Sequence, residues 1–317
     1  MKKILALILV LLLAVTTGCA KKAVQEEVKP LRIGILPIED NLPFFVAEKD
    51  NLYANNGIKV ELIPFDSARE RDIAMQAGQL DIEVADMVAV ALLRKGGADV
   101  KIASIGLGAT PQEGRFVLLA SPASTAKNVD DLKGKSIAIS ENTIIEYLTD
   151  EIFKLHNVTP QEIKKINIPA IPVRLESLTN NKIDAAVLPD PLASLAEKQG
   201  AKVILDDTKS STNLSQTVFI IRNQAITDNK KGIKKLLQTY QQAGVALTAN
   251  PETYRILALE KAHIPKPIQE TYKLPTFSKL QLPTDDEITR TIDWMVEKKL
   301  LAKPFTYSEL VDETLLK

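Results

Sequence analysis

Four short stretches of this 317-residue chain gather side chains able to hold a small molecule: Pro37-Ile38-Glu39-Asp40-Asn41-Leu42-Pro43, Ala85-Asp86-Met87, Ser140-Glu141-Asn142-Thr143 and Leu188-Pro189-Asp190-Pro191. Each stands where an apolar run gives way to an amphipathic stretch. Carboxylates, carboxamides and hydroxyls there exchange hydrogen bonds with a solute, and a helix starting at the same point adds unpaired amides. The chemistry on offer is recognition. The chain has one Cys, Cys19, and two His, His156 and His263, and none lies in a GxSxG, HExxH, P-loop or dinucleotide pattern. That inventory is too small for a Cys/His zinc site, so neither a metal nor a cofactor is expected.

The candidate ligand-binding set is Glu39, Asp40, Asn41, Phe44, Ala85, Asp86, Arg115, Ser140, Asn142, Thr143 and Asp190. Asp86, Asn142 and Asp190 also suit helix N-caps, which favour Asp and Asn with no ligand present. Phe44, with Phe45 and Tyr147, falls in the first turns of predicted helices, where a ring can stack on a planar solute. Arg115, just ahead of the run Phe116 to Ala120, is the one arginine placed at the rim. Several acids against one arginine favour a neutral or cationic ligand, a heteroaromatic or an amine, over sulfonate or nitrate.

The elements that must position these loops alternate β and α. Arg32–Leu36, Ile58–Ile63, Asp81–Val84 and Val100–Ile105 read as buried parallel strands, with helices near 43–52, 67–78 and 86–96 between them. A second series has strands near 136–139, 164–168, 183–187 and 202–205, with helices near 143–156, 172–181 and 191–199. The class is α/β, and in open parallel sheets ligands collect beyond the carboxyl ends of the strands. Sliding the chain by 103 residues sets Leu80–Val100 against Ile183–Val203 with seven identities in 21 positions, among them Asp81/Asp184, Val84/Val187 and Gly97/Gly200. Two lobes of one plan are therefore expected. After a strand at Gln216–Arg222 the pattern turns helical, near 228–248, 251–262, 284–300 and 307–316, with capping-box signatures opening at Thr284 and Thr306. This last third is expected to pack back on the first lobe.

Lys2 and Lys3 precede an apolar run of twelve residues, Ile4–Val15, followed by Thr16-Thr17-Gly18-Cys19. Twelve residues rise only about 18 Å as a helix, less than a bilayer core, so residues 1–18 read as a signal peptide. Small residues before a lone Cys resemble the bacterial lipobox, departing from it at Thr16. That resemblance implies a diacylglycerol anchor on Cys19, with residues 19–30 as a polar tether and the protein exported and held at the membrane surface. Basic and acidic side chains both total 40. With no basic excess, no nucleic-acid partner is expected.

Further stretches carry a family resemblance: Phe44–Ile58 (FFVAEKDNLYANNGI), Ala77–Ile82 (AGQLDI), Val129–Ile139 (VDDLKGKSIAI), Asn181–Pro191 (NKIDAAVLPDP) and Gln199–Ala201. Together they resemble the solute-binding proteins of bacterial ABC importers, in the nitrate/sulfonate/taurine and thiamine-pyrimidine group, over roughly residues 31–250. The resemblance implies a two-lobed periplasmic-binding-protein-like fold of type II, its parallel-sheet lobes joined by two crossovers. Lobe 1 would be 31–118 plus 218–317 and lobe 2 residues 119–217. It also implies solute capture by domain closure and delivery to an ABC permease and ATPase complex. The first loop, PIEDNLP, departs from the aromatic-rich turn common in such proteins. Two other functions fit the same scaffold. One is an enzyme resembling the fungal pyrimidine synthases, whose cysteine cluster has no counterpart here beyond Cys19. The other is a lipoprotein presenting its ligand to a membrane sensor.

Overall fold

The computed structural model describes residues 29–317. The expected signal peptide 1–18, Cys19 and the tether up to residue 28 lie outside the described residues. Ten strands follow: β1 (Leu31–Ile35), β2 (Val60–Pro64), β3 (Ile82–Ala85), β4 (Val100–Leu107), β5 (Phe116–Ala120), β6 (Ser136–Ile139), β7 (Lys164–Asn167), β8 (Ala185–Pro189), β9 (Lys202–Asp206) and β10 (Thr217–Arg222). They form two five-stranded sheets, ordered β2-β1-β3-β10-β4 and β7-β6-β8-β5-β9. The central strands β3 and β8 are buried at every residue, as strands covered on both faces must be.

The expected parallel pairing holds for β2-β1-β3 and β7-β6-β8. It is corrected at one strand per sheet: β10 runs antiparallel to β3 and β4, and β5 antiparallel to β8 and β9. The cause is the crossings. Residues 108–115 and 207–216 bring the chain over from the other lobe on the side where the parallel strands end, so the next strand runs against them. All of Phe116–Ala120 pairs with β8, so a lobe boundary at 118 would cut a strand that is whole in the second sheet.

Helices α1 (Leu42–Lys49), α2 (Ala68–Gln76) and α3 (Met87–Lys95) flank the first sheet, and α4 (Ile144–Leu155), α5 (Ile171–Thr179) and α6 (Leu192–Lys198) the second. Side chains fix several starts. Ser67 accepts from the Glu70 amide at 3.3 Å, Asp86 from Ala89 at 2.9 Å and Thr143 from Ile145 at 3.2 Å. Both ends of α2 and α5 lie 103 residues apart, so the internal repeat reaches upstream of the stretch that reveals it in sequence.

The last third carries α7 (Asn223–Ala249), α8 (Pro251–Lys261) and α9 (Asp285–Glu297). As expected it returns to the first lobe, α7 packing on α1 and α9 on α3. The helix expected at 307–316 is corrected to one turn, Tyr307–Leu310. Beyond that turn Val311 bridges to Ile102, and the Asp312 amide donates to the Ile102 carbonyl at 2.9 Å, so a strand partner ends the helix.

Two expected stacking residues do other work. Phe44 is fully buried and meets Phe219 and Tyr240 edge-on, with centroids 5.9 and 4.9 Å away, which places it in the first-lobe core. Phe44→Ala is expected to cost about 3–5 kcal/mol of stability, read as a lowered urea midpoint. Tyr147 packs edge-on against Trp294 at 5.4 Å, beside a Trp294 Nε1 to Asp150 hydrogen bond of 3.1 Å and the Lys298–Glu146 ion pair. Tyr147 therefore helps tie α4 of the second lobe to α9.

Candidate functional site

The ends of the parallel strands and the starts of β5 and β10 converge on the seam between the lobes. An inner cavity of about 50 Å³ lies there, with Ile38, Phe116, Ile144, Ile171 and Pro189 among its apolar walls. Its polar lining is Asp40, Arg71, Asp86, Ser140, Thr143, Arg174 and Thr217. An outer recess of about 510 Å³ is lined by Glu39, Arg115, Asp190, Glu197 and Tyr272 among others, and a third of about 380 Å³ by Arg69, Asp72 and Asn142 among others.

The first loop feeds two of these spaces with adjacent residues. Asp40 lines the inner cavity, its backbone carbonyl held by the Tyr240 hydroxyl at 2.6 Å. The Thr217 hydroxyl and its own amide stand near, but neither carboxylate oxygen completes a hydrogen bond of normal geometry. Burial pushes this carboxyl up to about 7, against the pull of Arg71. Glu39 lines the outer recess and accepts from the Tyr272 hydroxyl; burial, then Asp190, push it up to about 8. Asn41 lines neither space: its Nδ2 donates to the Leu36 carbonyl at 2.6 Å and braces the loop.

Asp86 lines the inner cavity while capping α3, and the Ile144 amide of the other lobe also stabilises its charge. Ala85, Ser140 and Thr143 join it there, and Thr143 is held by the Ser140 carbonyl at 2.8 Å. Asn142 is exposed, at a φ of 59°, and faces the third recess. Asp190 accepts the Ser194 amide at 2.9 Å and hydroxyl at 2.8 Å. Arg115 is tied to Glu197 at 2.8 Å, Asp206 at 2.8 Å and Asp190 at 3.5 Å, within the second lobe at the outer recess. The expected set thus divides. Asp40, Ala85, Asp86, Ser140 and Thr143 share the inner cavity, Glu39, Arg115 and Asp190 the outer recess, and Asn41, Phe44 and Asn142 lie at neither.

The charge count of one rim arginine is corrected by two buried ones. Arg71 is 2% exposed and donates to the Val84 carbonyl at 2.6 Å and to Asp72 at 2.8 and 3.1 Å, with Glu83 at 3.6 Å. Burial opposes its charge, but Asp72, Glu83 and Asp86 outweigh that and hold its pKa above the usual value. Arg174 is 0% exposed and donates to the carbonyls of Val187 at 3.0 Å, Ile168 at 2.7 Å and Pro169 at 3.3 Å; its Nη2 has no partner among the described residues. Burial alone lowers its pKa to about 10. In sequence both sit among charged or polar residues of helices and look like solvated faces. The signal that identifies them is the repeat, because Arg71 and Arg174 are themselves 103 residues apart.

Two α/β lobes joined by two crossings, with a polar cavity buried between them, have the architecture of a solute-binding clamshell. The chain belongs to the NMT1-like family, whose model matches residues 24–259. A Brachyspira hyodysenteriae protein named as an ABC transporter periplasmic binding protein is 26% identical over 267 residues, covering 79% of this chain and 75% of its own. The alkanesulfonate-binding protein SsuA from Xanthomonas axonopodis pv. citri, solved with bound MOPS, superposes with a TM-score of 0.77 at 18% identity, covering 89% of this chain and 97% of that one. The desulfurization enzyme DSZB shares the fold at a TM-score of 0.66 and 13% identity, covering 91% and 97%.

Proposed function

We propose that this protein is the substrate-binding component of an ABC importer, working outside the cytoplasm and anchored by lipid on Cys19 once residues 1–18 are removed. The observation that carries the reading is the inner cavity, where buried polar groups from both lobes face one space. The family and the named Brachyspira relative support it. A solute touching both lobes binds the closed form better than the open one, so it shifts the population to closed, the state offered to a permease. On this reading the lobes divide within the crossings, 108–115 and 207–216. The ligand is a small organic solute. The acids of the seam point to a neutral or cationic heteroaromatic or amine, and Arg71 and Arg174 in the same lining weight that choice towards the neutral end, with sulfonate or nitrate as the competing outcome.

A thermal-shift panel of pyrimidines, amines, alkanesulfonates, nitrate and bicarbonate tests the reading, with mass spectrometry of co-purified small molecules. A ligand at 100 times its Kd adds about 2.7 kcal/mol, a rise of several degrees. Turnover of the stabilising compound by catalytic amounts of protein would replace binding with enzymology. For the anchor, Cys19→Ser is expected to move the protein from the membrane fraction to the soluble one and abolish labelling by radioactive palmitate in growing cells. Retention and labelling in that variant would refute lipidation at Cys19.

A further inference from the structure

The two lobes differ at equivalent positions in a way that sets the poles of the ligand. Arg71 and Arg174 are each the fourth residue of their helix, and each guanidinium bonds the matching strand carbonyl, Val84 or Val187. In the first lobe Asp72 and Glu83 answer the charge. At the same offset of 103 the second lobe carries Leu175 and Ala186. Among the described residues Arg174 therefore has no carboxylate against it, and its Nη2 stays unpaired although the side chain is fully buried and lines the inner cavity. Asp40 brings the converse from the first lobe: a buried carboxylate lining the same cavity, with neither oxygen in a normal hydrogen bond. A buried donor or acceptor left unmatched carries its full desolvation penalty, which a complementary ligand group removes.

We propose that the ligand is a small dipolar molecule, with an acceptor pole taken by Nη2 of Arg174 and an N–H pole taken by the carboxylate of Asp40. The proposal rests on the interlobe-binding reading and narrows its substrate class. Arg71 is more than answered within its own lobe by Asp72, Glu83 and Asp86, so the polar atoms left unmatched at this cavity are Nη2 of Arg174 from one lobe and the Asp40 oxygens from the other. A molecule neutral overall, either a planar amino-carbonyl heterocycle or a zwitterion, meets both. Nitrate or an alkanesulfonate satisfies Arg174 but turns oxygen lone pairs on Asp40, which meets them only while that carboxyl keeps its proton, below about pH 7. A simple alkylamine satisfies Asp40 and leaves Arg174 open. The walls of Ile38, Phe116, Ile144 and Ile171 favour a flat, partly apolar body, and at about 50 Å³ the cavity admits a ring only once the lobes part further.

The test is calorimetric titration of the full chain in detergent. Cytosine, isocytosine and nicotinamide serve as planar dipolar probes, glycine and γ-aminobutyrate as zwitterions, nitrate and methanesulfonate as acceptor-only probes and propylamine as the donor-only probe. The expected result is binding by a dipolar probe, planar or zwitterionic, at least about 10- to 100-fold tighter than by any single-pole probe, as loss of one charged hydrogen bond predicts. Arg174→Met and Asp40→Leu should each weaken that probe by a similar factor, with the unliganded melting transition checked to show that each variant is folded. Retained affinity in a folded Arg174→Met variant would overturn the proposal. If nitrate, methanesulfonate or propylamine binds as tightly, with the lobes closing by X-ray scattering, the binding reading stands and the dipolar ligand falls. Silence from every probe counts against both.

Discussion

Replacing Arg71 by methionine is expected to lower the stability of the ligand-free protein by about 3–5 kcal/mol, whereas Arg174→Met, which strands carbonyls but no acid, should cost only about 1–2 kcal/mol. Both guanidiniums are buried and both brace a strand carbonyl. The contrast lies in what each leaves behind. Without Arg71, Asp72 loses its partner and Glu83, 0% exposed with neither oxygen hydrogen-bonded, loses the only cation against it among the described residues. Burial already holds the Glu83 carboxyl well above the usual range, and Asp72 adds to that rise. Breaking one side of such a cluster strands the other. Removing Arg174 strands no acid and relieves an uncompensated charge, at the expense of hydrogen bonds to the Val187, Ile168 and Pro169 carbonyls.

Urea titration of the two ligand-free variants measures the difference, with the slopes compared to confirm that the same surface unfolds. Adding Glu83→Leu to Arg71→Met should recover much of the loss, because replacing a whole buried ion pair by apolar groups of similar size is often neutral. Equal costs at Arg71 and Arg174, or no recovery in the double variant, would contradict this account of the charges. Because Arg174→Met is expected to spare the fold, any binding it loses reports on the ligand contact itself.

Much of this architecture is legible in the chain because it rests on local rules. β5 and β6 have the expected bounds since their apolar runs are short and sharply ended. α9 starts at its capping box, where Thr284 and Glu287 exchange hydrogen bonds. Strand direction was not legible, because an apolar run reads the same whether the chain enters from its own lobe or across the cleft. Glu39 and Asp40 show a finer limit: both border a gap of about 20 Å³, yet one step of a short 3-10 turn gives Asp40 to the inner cavity and Glu39 to the outer recess, and no spacing rule fixes which goes where. The arginines were hidden for a different reason. A charged residue in an amphipathic helix normally faces water, and only comparison of the two halves shows the same residue kept at the same step of both.

Ligand-free stability is expected to be greatest near pH 5 and to fall steadily towards pH 8.5. Burial pushes Asp40 and Asp207 up to about 7 and Glu39 up to about 8, whereas in the unfolded chain such groups titrate near 4. Between those limits the native protein keeps protons that the unfolded chain has released, so raising the pH favours unfolding by about 1.4 kcal/mol per unit per group. Glu39 and Asp40 raise the cost of each other's charge, so their shares are not independent. A total loss of several kcal/mol, about 5–10 °C in melting temperature, is the scale expected. The opposite limb comes from depressed carboxyls. Asp206 and Glu146 are buried, which opposes their charge, but Arg115 and Thr208 in one case, and the Asn142 amide, Lys298 and Lys165 in the other, hold them below the usual range. Their contribution is present above the unfolded value and is lost as the pH falls through the native one, which sets the acid edge below about pH 4. Melting temperatures from pH 4 to 8.5 test the shape: Asp40→Asn should flatten the profile up to about pH 7 and Glu39→Gln up to about pH 8, and a flat wild-type profile would refute the assignment. A ligand that brings an N–H to Asp40 favours its ionised form, so binding near pH 7 should release a fraction of a proton. Calorimetry in buffers of different ionisation enthalpy reads that release directly, and it should vanish in Asp40→Asn while persisting in Glu39→Gln.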